Sequence, residues 1–201
     1  MTTILTVPGK ESTEESSDKC LVERCQHGDR ESFRHLYRRY HSKVRSTLHQ
    51  LCGASSLDDL EQEVFLRAWK GLPKLKQPAH FSTWLYRISW NVAQDRRQAF
   101  AKQREEKRRL IAAILPNSHG DRHPATPTPD LMHLHYQDLV QRGLETLSFD
   151  HRTVLVLHDL SDLPQKQVAE IVGVPVGTVK SRLFHARSAM RKFLQTQGVQ
   201  L

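Results

Sequence analysis

The sequence predicts an all-α protein made of two small helical units joined by a flexible linker. Three observations carry that prediction. Apolar residues recur at three- and four-residue steps in both halves of the chain, and no segment sustains the alternation of a strand. Four of the nine prolines crowd between residues 116 and 129, in "PNSHGDRHPATPTPD". Proline removes a backbone donor and pushes its predecessor out of the helical region, so no helix is expected to cross that segment.

Taken in order, residues 1–17 are rich in Ser, Thr and Glu with little to bury, and read as a disordered tail. A first unit is expected over 18–112. Within it Phe33, Leu36, Tyr37, Tyr40, Val44, Leu48 and Leu51 mark one helix face, and Leu60, Val64, Ala68 and Leu72 keep a strict four-residue step. Phe81, Trp84, Leu85, Ile88 and Val92 mark a third face. The linker is assigned to 113–131. The second unit, 132–201, restarts the helical period with Leu139, Val140, Leu144 and Leu147, then Val154, Leu157 and Leu160. Its stretch "LPQKQVAEIVGVPVGTVKSRLFHAR" has the form of a helix-turn-helix. One helix opens near Pro164, where a missing N–H costs nothing. Ala169 is small enough for close helix contact, Gly173 marks the turn, and Pro175 stops the first helix before a second begins near Val176.

Composition narrows the function classes. The chain has 201 residues with 30 Lys+Arg against 22 Asp+Glu, a formal charge of +8, which points to nucleic acid or another anionic surface. No apolar run approaches the ~20 residues of a membrane span, so no direct membrane insertion is expected. Cys20, Cys25 and Cys52 lack a CxxC spacing and read as reduced thiols of a cytoplasmic protein. His119, His123, His133 and His135 straddle the linker without metal-ligand spacing. With no phosphate-binding glycine loop either, no metal, cofactor, catalytic residue or small-molecule substrate is expected.

Three surfaces are candidates for function. From 176 to 194 the charged residues are Lys180, Arg182, Arg187, Arg191 and Lys192, with no acid among them. An ordinary solvated helix interleaves the signs; this one suits phosphates. Val179 and Leu183 would face the core, leaving Lys180, Ser181, Arg182, Phe184 and His185 to reach DNA while Arg187 and Arg191 meet the backbone. The plainer alternative is a helix capping a bundle with Phe184 buried. On the helix from Phe81, taking Ile88 as the apolar centre puts Tyr86, Trp90 and Arg97 on the opposite side, an arrangement suited to stacking on unpaired bases. The competing account has Trp90 covered by another helix. In "SSLDDLEQEVFLRAWKGL", Asp58, Asp59, Glu61 and Glu63 either complement a helix dipole or dock a basic protein surface, and the sequence leaves both open.

Together "DLEQEVFLRAWKGL", "FSTWLYRISWNVAQDRR" and "VAEIVGVPVGTVKSRLFHAR" resemble the bacterial sigma factors of the extracytoplasmic-function group, over residues 21–193. The first two segments look like region two and the third like the region-four helix-turn-helix; Trp90 and His185 depart from the common pattern. The resemblance implies a factor that binds core RNA polymerase through the β′ clamp helices and the β flap, recognises two promoter elements, and initiates transcription at stress-type promoters under an anti-sigma factor. It assigns Asp59, Gln62, Glu63 and Phe65 to polymerase binding. Lys74, Lys76, His80, Tyr86, Arg87, Trp90, Asn91, Arg96 and Arg97 fall to the −10 element. Thr178, Lys180, Ser181, Arg182, Phe184, His185 and Arg187 fall to the −35 element. The rival reading is a conventional regulator that binds a duplex operator through the helix-turn-helix, which would need a dimer. The basic, aromatic helix from Phe81 argues against it, because a duplex reader needs no stacking platform.

Overall fold

A computed structural model describes residues 17–114 and 132–199, and among these residues the ordered elements are all helical. The expected tail and linker fall almost wholly outside the described residues. The first unit contains α1 (Asp18–Gln26), α2 (Arg30–Cys52), α3 (Leu57–Gly71) and α4 (Phe81–Ile114), with single 3₁₀ turns at Leu72–Lys74 and Pro78–His80. The second contains α5 (Met132–Thr146), α6 (Phe149–Leu155), a π-helical turn (Val156–Leu160), α7 (Gln165–Val172) and α8 (Val176–Thr196).

The helix starts follow from their caps. Ser17 accepts from the Cys20 amide at 3.2 Å, and Asp29 accepts from the Glu31 and Ser32 amides at 2.9 and 3.3 Å. α3 opens differently: Ser56 sits in the left-handed region (φ 59°) with no side-chain cap, while Asp58 and Asp59 lie in the first turn against the dipole. The apolar steps then converge on one core. Leu36, Val44, Leu48, Val64, Ala68, Leu72, Phe81 and Leu85 are each at most 2 % exposed, and a fully buried Leu or Phe contributes roughly 1.5–3 kcal/mol.

The helix-turn-helix forms as the sequence spacing requires. Gly173 takes φ 70°, and its amide and that of Val174 both close on the Ala169 carbonyl, at 2.9 and 3.1 Å. Val179, Leu183 and Ala186 bury the inner face of α8. Behind it, α5 approaches so closely that a Cβ on Gly143 would lie 2.5 Å from Met190 Sδ.

The two units do not stand apart. The second lies across α2 and α4, and its Leu144, Val154, Val156 and Leu157 join the same buried cluster as Leu36 and Leu48. That is why Val154 through Leu157 can all be buried in succession: neighbours cover them from both units. Polar contacts fasten the seam. Arg152 donates to the Leu51 carbonyl at 3.0 Å, Gln141 to the His49 carbonyl at 3.3 Å, and the hydroxyls of Thr47 and Ser161 are 3.4 Å apart.

Candidate functional site

The first surface is the outer face of α8. Lys180, Ser181, Phe184, His185 and Arg187 are exposed, while Thr178 and Arg182 are half-buried. Phe184 is 71 % exposed, which removes the buried-Phe alternative, and its ring meets the His185 ring edge-on at 5.5 Å. Two of the five cations that lack an acid within α8 find one outside it. Arg182 bonds Asp150 at 2.7 Å, and Arg187 grips both carboxylate oxygens of Asp159 at 2.8 and 2.6 Å. Those bonds raise the Arg187 guanidinium above its usual value. Exposed pairs of this kind hold together by only ~0–1 kcal/mol, so phosphates or base edges can replace the carboxylates.

The second surface is α4 with the loop before it. Lys74, Lys76, His80 and Asn91 are exposed on the open side. Of the rest of the predicted set, Tyr86, Arg87 and Arg97 turn toward the second unit. Tyr86 is only 6 % exposed, and Trp90 is half-buried against the common core. Burial pushes the Tyr86 phenol up, Ser161 opposing and Asp162 adding to the shift. Arg87 donates to the Glu170 carbonyl and lies 3.6 Å from its carboxylate. Arg97 lies over the Phe149 ring at 5.0 Å. Arg96 reaches back to Ser56 at 2.8 Å and stacks on Phe100 at 4.1 Å. The exposure expected for Tyr86 and Trp90 is therefore corrected. Ile88 is not the centre of the buried arc, which runs through Phe81, Leu85, Ser89, Val92 and Ala93, and the Tyr86 side is roofed by α7 and the turn before it.

The third surface is a groove of about 440 Å³ between α2 and α3. Asp59 and Gln62 are exposed. Glu63 pairs with Arg67 at 2.7 Å, and Arg67 continues to Asp95 at 2.8 Å. Phe65 is 7 % exposed and forms the groove floor, its ring against Tyr37 at 4.7 Å. Glu61 is buried and collects Arg45 at 2.9 Å and the Tyr37 hydroxyl at 3.4 Å. The sequence reading missed Leu66 and Trp69 and placed Tyr37 in the core. These three are 45 %, 38 % and 40 % exposed. The available signal was that Gln62, Leu66 and Trp69 form their own stripe, off the Leu60–Val64–Ala68 face. Exposed apolar side chains rimmed by carboxylates make a surface for an apolar, basic protein partner.

The three cysteines are free. No group of three or more metal-ligating side chains occurs among the described residues; His119 and His123, and the side chains of His133 and His135, lie outside them. Among the described residues no helix is long and apolar enough to cross a membrane.

Comparison with known proteins agrees on both halves. Residues 36–104 match the family model for sigma-70 region 2, and residues 137–190 that for sigma-70, region 4. The ECF RNA polymerase sigma-E factor of Haemophilus influenzae is 31 % identical over 185 residues, covering 90 % of this chain and 97 % of that one. Its counterpart in Escherichia coli K12 is 32 % identical over 187 residues, covering 91 % and 97 %. Among solved structures, CnrH in complex with the cytosolic domain of CnrY aligns with a TM-score of 0.66 at 20 % identity, covering 89 % of this chain and 97 % of that one. RpoE of Bartonella quintana, in complex with the anti-sigma factor NepR, aligns at 0.58 and 23 %, covering 81 % and 96 %. At these identities the two structures speak for the fold.

Proposed function

The chain belongs to the extracytoplasmic-function RNA polymerase sigma factors, and we propose how its surfaces divide the work of promoter recognition. The unit 18–112 docks polymerase and reads the −10 element; the unit 132–201 reads the −35 element and meets the β flap; 113–131 tethers them. The groove between α2 and α3 receives the β′ clamp helices, with Tyr37, Leu66 and Trp69 as apolar anchors and Gln62 beside them, while Asp59 and Glu63 extend the contact along α3. α8 enters the major groove at −35, where Lys180, Ser181, Arg182, Phe184 and His185 meet base edges and Thr178 and Arg187 meet phosphates. The loop Lys74, Lys76 and His80, with α4, takes the −10 strand: Tyr86 and Trp90 stack on unpaired bases, and Arg87, Asn91, Arg96 and Arg97 hold its backbone.

The observation that supports this best is the division of α8. Val179 and Leu183 anchor one side while a 71 % exposed Phe184 stands among cations on the other. A consequence follows for −10 reading: since Tyr86, Arg87 and Arg97 lie against the second unit, the two units part before the strand is opened. An anti-sigma factor that holds them together keeps the protein silent; RpoE of Bartonella quintana is found in complex with an anti-sigma factor, NepR. The protein acts in the cytoplasm and has no catalytic residue of its own; the chemistry belongs to polymerase.

Run-off transcription with purified core polymerase on a genomic promoter library tests the proposal. Discrete transcripts that require this protein support it and yield its promoter sequence. Duplex binding without comigration with core polymerase would instead favour a conventional regulator.

A further inference from the structure

Where α4 meets α6 the seam between the units holds a half-open cavity of about 340 Å³, lined while the units are together by Arg96 and Arg97 of the proposed −10 set. Arg96 and Arg97 enter it from α4 and Arg152 from α6, with Phe100, Phe149 and Cys52 completing the wall. No carboxylate lines it, and among the described residues none of the three guanidiniums is in an ion pair. This sets them apart from Arg45, Arg67, Arg87, Arg182 and Arg187, each of which has an acid within 4.0 Å. Arg152 spends its two terminal nitrogens on the Leu51 and Glu145 carbonyls, and the buried Nε atoms of both Arg152 and Arg96 have no partner. Burial pulls the Arg152 guanidinium below its usual value, the Glu145 carboxylate and Cys52 opposing and Arg97 adding to the shift.

Three guanidiniums lining one acid-free cavity, two of them with a buried Nε that has no partner, leave positive charge there uncompensated, and an anion would answer it. We infer that this cavity binds a compact phosphate-bearing small molecule, the size of pyrophosphate or the diphosphate end of a nucleotide, bridging Arg96 and Arg97 of the first unit to Arg152 of the second. A cavity of this volume accommodates such a group, and bidentate guanidiniums are suited to it. Because the cations come from both units, the bound anion holds the units closed. The binding claim is independent of the promoter assignments; only its effect on transcription rests on them.

Cys52 lies in the wall and supplies the readout. Full-length protein is treated with a thiol-alkylating reagent with and without pyrophosphate or ADP, at matched ionic strength in chloride, and modification at Cys52 and at Cys20, outside the cavity, is measured by peptide mass. The expected result is protection of Cys52 by about tenfold, none of Cys20, and loss of that protection in Arg97→Gln, whose residue is exposed and whose replacement leaves the fold intact. Equal protection by both compounds identifies the phosphates as sufficient; protection by ADP alone identifies a nucleotide. Cys52 equally reactive under all conditions at millimolar ligand, or protection unchanged in both Arg97→Gln and Arg152→Lys, overturns the inference. Neither outcome touches the run-off result, so the two readings fail separately.

Discussion

Replacing Phe184 by Ala separates a residue kept for DNA from one kept for packing. Phe184 is 71 % exposed, so less than a third of its surface is covered in the folded protein. A fully buried Phe contributes roughly 1.5–3 kcal/mol, which leaves about 0.5–1 kcal/mol for this one. Alanine returns ~0.5 kcal/mol through helix propensity, so net stability should change by less than about 0.5 kcal/mol, or ~1–2 °C. Val179, five residues earlier and 0 % exposed, is the control: Val179→Ala should cost about 2–3 kcal/mol through lost burial and the cavity left behind. On DNA the order reverses. An apolar contact to a thymine methyl in the major groove is part of a readout worth ~1–3 kcal/mol per position, so Phe184→Ala should weaken binding to a selected −35 duplex by about 5–150-fold. Its salt dependence should stay at the wild-type slope, because no phosphate contact is lost. Urea unfolding and fluorescence anisotropy at two salt concentrations read both quantities. Unchanged duplex affinity with a stability loss equal to that of Val179→Ala would refute the reasoning.

Gly173→Ala should destabilise by ~1 kcal/mol from the left-handed backbone alone, since a Cβ there meets no atom within 4 Å, and thermal unfolding reads it. Glu63→Lys should lower affinity for core polymerase in a gel-shift or comigration assay while leaving helical circular dichroism unchanged, because Glu63 is half-buried in an exposed chain with Arg67 and Asp95. Trp90→Ala should impair strand opening, read by permanganate reactivity of unpaired thymines, more than it impairs duplex binding; equal losses would return Trp90 to a purely structural role. Burial pushes the Cys25 thiol up to about 11. The folded protein then holds its proton more tightly than the unfolded chain, so stability is intact below about pH 8.5 and declines as pH rises through 11. Tyr40 and Tyr86, also raised chiefly by burial, act in the same direction from about pH 10. Urea midpoints at pH 8 and 10.5 should therefore diverge, and less so in Cys25→Ala.

The parts of this molecule legible in the sequence were those decided within one helix or one turn. Leu60, Val64, Ala68 and Leu72 are all buried, as their step requires, and Gly173 and Pro175 sit where the turn and second helix need them. Periodicity failed where a second unit decides burial. Ser89 belongs to the buried arc of α4 because its hydroxyl turns back to the Leu85 carbonyl at 3.0 Å, so a polar letter hid the true centre of the face. Tyr86 is covered by residues more than seventy positions away, which no local pattern records. The acids that answer Arg182 and Arg187 lie 32 and 28 residues upstream, so part of the charge left unbalanced in the sequence is balanced in space.

The packing of Gly143 against Met190 has a mechanical meaning. α5 is the first described helix after residue 114, and with no side chain at Gly143 it is seated directly on the back of α8, the Phe193 ring 3.0 Å from where a Cβ would be. A displacement of α5 is therefore delivered to the rear of α8 and turns the two as one body, as a tiller turns a rudder. A larger side chain at 143 would loosen that coupling without touching the exposed face of α8.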